Sequence, residues 1–361
     1  MGFNCGIVGL PNVGKSTLFN ALTKTAAAAA ANYPFCTIEP NVGRLPVPDP
    51  RLDVLAGIAG SKAILPTQLE IKDIAGLVKG ASKGEVLGNK FLGAIREVDA
   101  IVHVLRCFED ADVVHVEGGI DPLRDAELIE TELLLADLDS LERQKDGLVK
   151  RARGQDKEAR ARLDLLARLL PPMEQGTSVR QIELSDADRE LLRGFNLLTA
   201  KPLLFVCNVD EASAATGNAL SRRVEAMASA LGARTVTVAA GIEAELAGLD
   251  DAERAEYLQS LGLAEPGLNR VIAEGYALLG LLTYFTVGPK EARAWTVRRG
   301  STAPEAAGVI HTDFQKGFIC AETIAYDDYV ACNGEVGAKE AGKMRLEGRD
   351  YVVREGDVMH F

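Results

Sequence analysis

The sequence lacks any apolar run of the roughly 18 residues that a membrane-spanning helix needs. Its alanine-rich run, residues 26–31, is far shorter than that. A secretory signal peptide is also not recognisable in the sequence. We therefore expect a cytoplasmic protein with no membrane partner.

The paired cysteines of zinc sites and disulfide-rich folds are missing as well. No C-x-x-C pair occurs among the six cysteines, which are Cys5, Cys36, Cys107, Cys207, Cys320 and Cys332. This scatter argues against a structural zinc site or a disulfide framework, and it favours a reducing compartment.

Positive charge is scarce, because 40 lysines and arginines face 52 aspartates and glutamates, which gives a net charge of −12. A contact with nucleic acid would therefore need a local basic patch. The chain has 361 residues, enough for two or three domains. An apolar fraction of 47% with 25% charged residues is typical of globular proteins.

The most specific motif is a phosphate-binding loop, Gly9-Leu-Pro-Asn-Val-Gly-Lys-Ser-Thr17, which follows the pattern G-x-x-x-x-G-K-S/T. A strand-like run, residues 5–8, precedes it and a run with helical spacing, residues 17–22, follows it. Glycines in such a loop let backbone N–H groups converge on phosphate oxygens at a helix N-terminus. Lys15 is predicted to reach the β- and γ-phosphates and Ser16 to bind Mg²⁺. The predicted nucleotide-binding residues here are Asn12, Val13, Gly14, Lys15, Ser16 and Thr17.

Two later segments have the composition of mobile switches that sense the γ-phosphate. The first, residues 32–43, contains prolines and a glycine, and the Thr37 hydroxyl is predicted to meet Mg²⁺ and the γ-phosphate. The second begins with the D-x-x-G pattern Asp73-Ile-Ala-Gly76 after a strand-like run. Asp73 would hold the Mg²⁺ shell, and the Gly76 N–H would meet the γ-phosphate.

The next position, Leu77, cannot orient the attacking water as the glutamine of Ras-type enzymes does. Another group must do so, and the next two histidines in the chain are His103 and His115. His103 lies within a strand-like apolar run and is interpreted as a core histidine. His115 comes after that run, in a segment that could approach the phosphates, and is the candidate for positioning the water.

A further apolar run ends in Asn208-Val-Asp-Glu211. Guanine-specific enzymes end the equivalent strand in N-K-x-D, whose aspartate accepts two hydrogen bonds from guanine. Here Glu211 takes the place of that aspartate and is one methylene longer, and Val209 replaces the lysine. The misplaced carboxylate should weaken the preference for guanine by about 1–3 kcal/mol. Asn208, Val209 and Glu211 are therefore predicted to contact the base, with ATP able to compete with GTP.

Helical spacing begins at Asp121-Pro122, an N-cap followed by proline at the first helical position. Gly154 interrupts it, and Pro171-Pro172 are predicted to end the second helix. The pattern predicts an antiparallel coiled-coil hairpin. Its tip, between Lys145 and Arg162, carries seven Lys/Arg against three Asp/Glu, either as a solvated helix surface or as a footprint for a phosphate backbone. The leucines at helical spacing are Leu134, Leu138, Leu141, Leu148, Leu163, Leu166 and Leu170.

After residue 279 the chain changes to short strand-like runs around one helix-sized stretch, residues 303–308. This arrangement of short strands around one helix predicts a small α+β module of about 80 residues. The predicted strands are residues 283–287, 294–298, 319–324 and 351–354.

Taken together, these motifs resemble the YchF or Obg-like ATPase family of P-loop proteins related to translation factors. The matching stretches are residues 9–17, Y-P-F-C-T-I-E-P-N at 33–41, D-I-A-G-L-V-K-G-A at 73–81, N-V-D-E at 208–211 and F-Q-K-G-F-I-C-A-E at 314–322. The family has the order found above, which implies an α/β fold. For this chain, the resemblance predicts a P-loop G domain (residues 1–120 and 200–278) with an inserted antiparallel coiled-coil hairpin (121–199). A C-terminal β-grasp domain of the TGS type (279–361) is predicted to follow.

The resemblance also implies Mg²⁺-dependent hydrolysis of nucleoside triphosphates, with ATP accepted as well as or better than GTP. It further implies association with the ribosome, through rRNA or ribosomal proteins, and a regulatory role in translation and stress. Asn12 matches a P-loop asparagine associated in related enzymes with K⁺, so K⁺ is a candidate second cofactor. Leu77 agrees with the family's hydrophobic residue at that position. We expect a monomer.

Two other functions compete with a molecular switch. A small-molecule kinase could use the same loop, but it needs an acceptor pocket and usually an arginine-rich lid, whereas the segments after Thr17 and Gly76 have the composition of switches. A ribosome- or RNA-binding module with a passive nucleotide site is the other alternative. The presence of Lys15, Ser16, Thr37 and Asp73 favours hydrolysis over that passive role.

Overall fold

The computed structural model describes residues 3–30, 41–74, 86–110, 119–154 and 156–361. Three residues of the predicted hydrolysis machinery, Thr37, Gly76 and His115, lie outside these ranges, and so does Leu77.

A largely parallel sheet positions the predicted nucleotide site. Its strands among the described residues are β1 (Asn4–Val8), β2 (Val42–Pro46), β4 (Gln68–Asp73), β5 (Ala100–Arg106), β6 (Leu203–Asn208) and β7 (Arg234–Val238). They lie in the order β2-β4-β1-β5-β6-β7. Strand β3 (Ala63–Leu65) belongs to a second sheet. The pairs β1–β5, β5–β6 and β6–β7 are parallel. Every residue of β5 and β6 is buried, as expected for central strands of a parallel sheet.

Several of the described helices begin at start signals in the sequence. Asp121, for example, caps the long hairpin helix by accepting a hydrogen bond from the Leu123 N–H, and Pro122 takes the first helical position. The helices are α1 (Lys15–Ala30), α2 (Pro50–Ala59), α3 (Val86–Glu97), α4 (Pro122–Arg153), α5 (Lys157–Glu174), α6 (Asp186–Arg193), α7 (Ala219–Ala230), α8 (Ala240–Leu246), α9 (Asp251–Ser260), α10 (Gly267–Leu278), α11 (Ala303–Ile310), α12 (Thr312–Lys316), α13 (Tyr326–Ala331) and α14 (Glu335–Glu340).

Contacts divide the described chain into two compact units. The first contains residues 3, 22–30, 41–70 and 269–361, and the second contains residues 4–21, 71–74, 86–110, 119–154 and 156–268. This division groups residues 41–70 with the C-terminal residues, whereas the sequence placed them in the G domain. The predicted domain boundaries themselves stay a prediction.

The predicted helical hairpin is formed by α4 and α5, which share an apolar core. Leu141, Leu148 and Leu166 are buried in it as predicted. On α5, however, Leu165 and Leu169 are fully buried, while the predicted Leu163 and Leu170 are only partly buried. The buried stripe of α5 is therefore shifted around the helix from the one that the leucine spacing indicated.

The end of α5 differs from the prediction. The helix does not stop at Pro171-Pro172 but runs through both prolines to Glu174. Met173 is 1% exposed and packs in the hairpin core, so its burial outweighs the backbone hydrogen bonds that the two prolines cannot donate. The Pro172 carbonyl then accepts hydrogen bonds from the N–H groups of Gln175 and Thr177, which closes the helix.

Asp137 ties the hairpin to the chain that returns to the sheet. Its fully buried carboxylate accepts hydrogen bonds from the Leu198 N–H (2.8 Å), the Thr199 N–H (2.8 Å) and the Thr199 hydroxyl (2.7 Å). Burial raises the pKa of this carboxyl, and the three donors oppose that shift. The contacts fix the direction in which the chain enters β6.

The second sheet is the predicted β-grasp module. Among the described residues its order is β11-β10-β12-β8-β9-β3, with β8 (Leu281–Val287), β9 (Glu291–Arg298), β10 (Ala321–Ala325), β11 (Arg345–Glu347) and β12 (Asp357–His360). The buried alanines of α11 pack against Leu282 and Tyr284 of β8. β12 runs parallel to β8, and β9 runs antiparallel to it.

The strand predicted at residues 351–354 is wrong. Val352 makes only an isolated bridge with Thr302. The Arg354 N–H donates to the Asp357 carboxylate at 2.8 Å, and Gly356 adopts a φ of 83°. Because of this turn, the last strand begins only at Asp357, as β12 (Asp357–His360).

β3 was not predicted. It pairs in parallel with β9, with Ala63 opposite Glu291 and Leu65 opposite Arg293. The neighbouring α2 buries Leu52 and Leu55 in a cluster with Phe285 of β8. Residues 50–65 thus complete the core of the first compact unit.

None of the described helices combines the length and apolarity that crossing a bilayer requires.

Candidate nucleotide-binding site

The phosphate-binding loop joins β1 to α1, and its two motif glycines are required by close contacts. A Cβ on Gly14 would lie 2.2 Å from the amide nitrogen of Asn208, and Gly14 has a φ of 89°. A Cβ on Gly9 would lie 2.8 Å from the Val104 carbonyl oxygen. Asn12 also has a positive φ, 62°, a conformation that asparagine tolerates better than most residues. Side chains larger than hydrogen at positions 9 and 14 would therefore displace the loop.

Asn208 holds this loop from the end of β6. Its Nδ2 donates to the Val13 carbonyl at 2.9 Å, and its Oδ1 accepts from the Ala240 N–H at 2.9 Å. The side chain is 4% exposed, so both ends of the amide are used inside the protein. The geometry gives Asn208 a supporting role, and its direct contact with a nucleotide stays a prediction.

Lys15 and Asp73 are brought together as the two motifs predict. The Lys15 ammonium forms an ion pair with Asp73 Oδ1, and the two side chains are 11% and 16% exposed. Asp73 ends β4, and the Ile74 N–H donates to the Ile7 carbonyl at 3.1 Å, which holds this strand end beside β1. The P-loop lysine and the D-x-x-G carboxylate thus share one edge of the sheet.

The donor set of the site fits Mg²⁺ rather than a transition metal. Ser16 and Thr17 are exposed in the first turn of α1, and Asp73 supplies a carboxylate. Within the described ranges, no three His, Cys, Asp or Glu side chains cluster closely enough to hold a metal. Mg²⁺ prefers hard oxygen ligands and is usually bound by one or two protein groups together with phosphate oxygens. A hydroxyl and a carboxylate meet that requirement.

On the base side, the predicted residues have different environments. Val209 is 4% exposed, and its N–H donates to the Val238 carbonyl at 2.8 Å. Asp210 caps the short turn Glu211–Ser213 by accepting from the Ser213 N–H at 3.0 Å. Glu211 is exposed, and its Oε1 lies 3.4 Å from where a Cβ on Gly241 would stand. Glu211 therefore has a carboxylate available beside the first turn of α8, whereas Val209 is a packing residue.

Arg106 was missed by the sequence analysis. It ends β5 opposite Asn208 and is 1% exposed. Its guanidinium donates to the carbonyls of Phe108 and Asp110, both at 3.2 Å, and lies 4.7 Å from the Phe108 ring centre. Arg106 thus fixes the start of the segment that leads towards His115. The available signal was an arginine at the end of a mostly apolar strand that also contains His103.

His103 is a core histidine, as interpreted from the sequence. It is 2% exposed, and its ring centre lies 5.6 Å from that of Phe205. Burial, aided by Arg180, lowers the pKa of His103 to about 3. The imidazole is therefore neutral at physiological pH and takes no part in the nucleotide site.

Comparisons with known proteins match the whole chain. A family model described as 50S ribosome-binding GTPase matches residues 4–146, and a model of the C-terminal domain of YchF GTPases, described as a protein of unknown function, matches residues 281–361. The ribosome-binding ATPase YchF of Haemophilus influenzae is 61% identical over 361 residues, which are 100% of this chain and 99% of the relative. The Bacillus subtilis protein of the same name is 50% identical over 363 residues, with the same coverage of both chains.

A solved structure agrees with the fold described above. The YchF GTPase of Schizosaccharomyces pombe has a TM-score of 0.90 at 38% identity, covering 99% of this chain and 97% of that one. The P-loop, the helical hairpin and the β-grasp module therefore occur together in a known architecture, and the chain is a P-loop NTPase. With relatives this similar along its full length, the chain belongs to the YchF family of ribosome-binding ATPases.

Proposed function

We propose that this protein is a Mg²⁺-dependent molecular switch that hydrolyses ATP, accepts GTP as well, binds ribosomes and regulates translation and the stress response. The observation that carries the hydrolytic part is the Lys15–Asp73 ion pair at the P-loop. A passive clamp would need the loop but not a carboxylate at this place, because that carboxylate serves the metal shell of hydrolysis. We also propose that the protein acts as a monomer in the cytoplasm.

Each residue of the site has a distinct task in this proposal. Ser16 and Thr37 would bind Mg²⁺, and Asp73 would hold the shell around the ion, which when bound neutralises charge on the β- and γ-phosphates. Lys15 would exchange part of its contact with Asp73 for phosphate oxygens. Thr37 and Gly76 would meet the γ-phosphate, and His115 would position the attacking water. Asn12 would help to hold K⁺.

The ribosome contact is proposed for the basic tip of the α4–α5 hairpin. Arg151 and Arg162 are paired with Asp156 and Glu158, each at 2.7 Å. The other five basic residues are exposed and enter no ion pair within the described part of the chain. An unpaired cluster of cations on a chain of net charge −12 is suited to neutralising RNA phosphates. These five residues are Lys145, Lys150, Arg153, Lys157 and Arg160.

The first prediction tests hydrolysis. Lys15→Ala should slow single-turnover ATP hydrolysis by at least about a hundredfold, with and without ribosomes, because the phosphates lose their positioned cation. Ser16→Ala should do the same through loss of a Mg²⁺ ligand. Lys24→Ala, an exposed lysine on the same helix, is the matched control and should leave the rate unchanged. Full turnover in the Lys15 or Ser16 variant would contradict the assignment of the site.

The second prediction concerns the base. Glu211→Asp should raise the ratio of GTP to ATP affinity by about tenfold or more, since the shorter carboxylate restores the acceptor geometry of guanine-specific enzymes. Competition binding with both nucleotides measures the ratio, and Glu225→Asp, an exposed acid on α7, is the control. An unaltered ratio would mean that the backbone rather than Glu211 selects the base.

The third prediction concerns the tip. Reversing Lys145, Lys150, Arg153 and Lys157 to glutamate should weaken ribosome co-sedimentation and leave intrinsic hydrolysis unchanged. Each neutralised phosphate contributes about 0.7–0.9 to the slope of log affinity against log salt, so the slope should flatten by about three units.

A control with the same change in net charge separates this contact from general attraction. It reverses four exposed basic residues elsewhere, Arg189, Arg222, Lys290 and Lys339. If the tip variant and the wild type give superimposable salt curves, the tip is only a solvated surface. Equal weakening by both variants would likewise remove the tip from the proposal.

A further inference from the structure

An elongated apolar groove lies at the base of the helical hairpin, away from the nucleotide site. It has a volume of about 610 Å³, which is within the range of protein ligand sites. One face of α4 forms its length, with lining residues from Leu123 to Leu138, a distance of about 22 Å at 1.5 Å per helical residue. The end of α5 and the last turns of α7 supply the opposite walls.

The floor of the groove is apolar and adaptable. Leu134 and Phe205 are buried beneath it, and Met173 and Met227 line it from two different helices. Leu135 is 45% exposed at its edge. Methionine side chains repack readily around different apolar partners, so this floor is suited to receiving inserted side chains.

The rim of the groove is acidic. Among the residues that the structure describes, the lining includes Glu127, Glu130 and Glu174 and no lysine or arginine. Glu130 is paired with Arg180, but Glu127 and Glu174 are exposed and form no ion pair within the described residues. Two carboxylates therefore remain available to a partner's cations.

The charge of Glu174 does not favour its own helix. It is the last residue of α5, and a negative charge at a helix C-terminus opposes the helix dipole. A carboxylate at this place lowers helix stability slightly while adding negative charge to the groove.

We propose that this groove binds an amphipathic basic helix of a partner protein, with apolar side chains on the floor and lysines or arginines against Glu127 and Glu174. The length of about 22 Å suits four turns of helix. The walls are helices whose backbone groups are already bonded, so strand addition is not available, and insertion of a helix is the matching recognition mode. This proposal is independent of nucleotide hydrolysis.

The test uses the full chain and a fluorescein-labelled synthetic peptide of 18 residues. Its leucines recur at helical spacing on one face, and its lysines flank them. Fluorescence anisotropy should show saturable binding to the wild-type protein. A peptide of the same composition, scrambled so that its leucines share no face, should bind at least tenfold more weakly.

Two protein variants locate the site. Glu127→Lys with Glu174→Lys should weaken peptide binding at least tenfold, with ATP hydrolysis unchanged. The matched control is Glu142→Lys with Glu340→Lys, two exposed acids outside the groove lining, and it should bind as the wild type does. Equal binding of the scrambled peptide, or an unaffected groove variant, overturns the proposal.

A small molecule is the competing occupant of such a groove. The probe for it is 1,12-diaminododecane, measured by calorimetry against the same two variants. Binding of this diamine that depends on Glu127 and Glu174, without binding of the helical peptide, would assign the groove to small amphiphilic amines and contradict the proposed protein partner.

Discussion

The side-chain amide of Asn208 is the contact on which the nucleotide site depends. It joins the Val13 carbonyl in the P-loop to the Ala240 N–H at the start of α8, and it fills the space that a Cβ on Gly14 would need. An amide is required because one end must donate and the other must accept. Aspartate lacks the donor, and an apolar residue of this size would leave a buried carbonyl and a buried N–H unbonded.

Through this contact, the conformation of the loop determines the rest of the site. Lys15 begins α1 directly after Gly14, and its ammonium reaches Asp73 at the end of β4. Glu211 follows Asn208 by three positions and lies beside the first turn of α8. The phosphate side and the base side are therefore connected by one buried hydrogen-bonding group rather than by two independent loops.

The sequence predicted those features whose causes are local. The glycines, Lys15 and Asp73 could be recognised because a phosphate loop and a strand end each need particular residues at fixed spacing. The shifted register of α5, by contrast, depends on which face α4 and the returning chain cover. Proline spacing could not show that burial of Met173 would carry the helix through Pro171 and Pro172. The three residues of β3 carry too little periodicity to reveal a pairing with β9, which is fixed by tertiary contacts.

Charge along α4 follows the helix dipole only in part. Asp125 in the first turn and Lys150, Arg151 and Arg153 in the last turn complement it. Lys145 lies before the last turn and is exposed without an ion pair in the described chain, so the dipole does not explain its charge. The hairpin thus presents an acidic groove at its base and a basic tip at its end, which suits partners of opposite charge.

The most direct measurement of the central claim is the nucleotide affinity of Asn208→Ala. The variant leaves the Val13 carbonyl and the Ala240 N–H without their hydrogen-bond partner, and each unsatisfied buried group costs about 1–3 kcal/mol. The proposed role of Asn208 is to support the loop and not to contact a phosphate. Affinity for both ATP and ADP, measured by calorimetry, should fall by at least tenfold. Asn218→Ala, which removes another strand-end amide contact, to the Cys107 carbonyl, should leave affinity unchanged. Wild-type affinity in Asn208→Ala would contradict the claim that this amide holds the P-loop in its binding conformation.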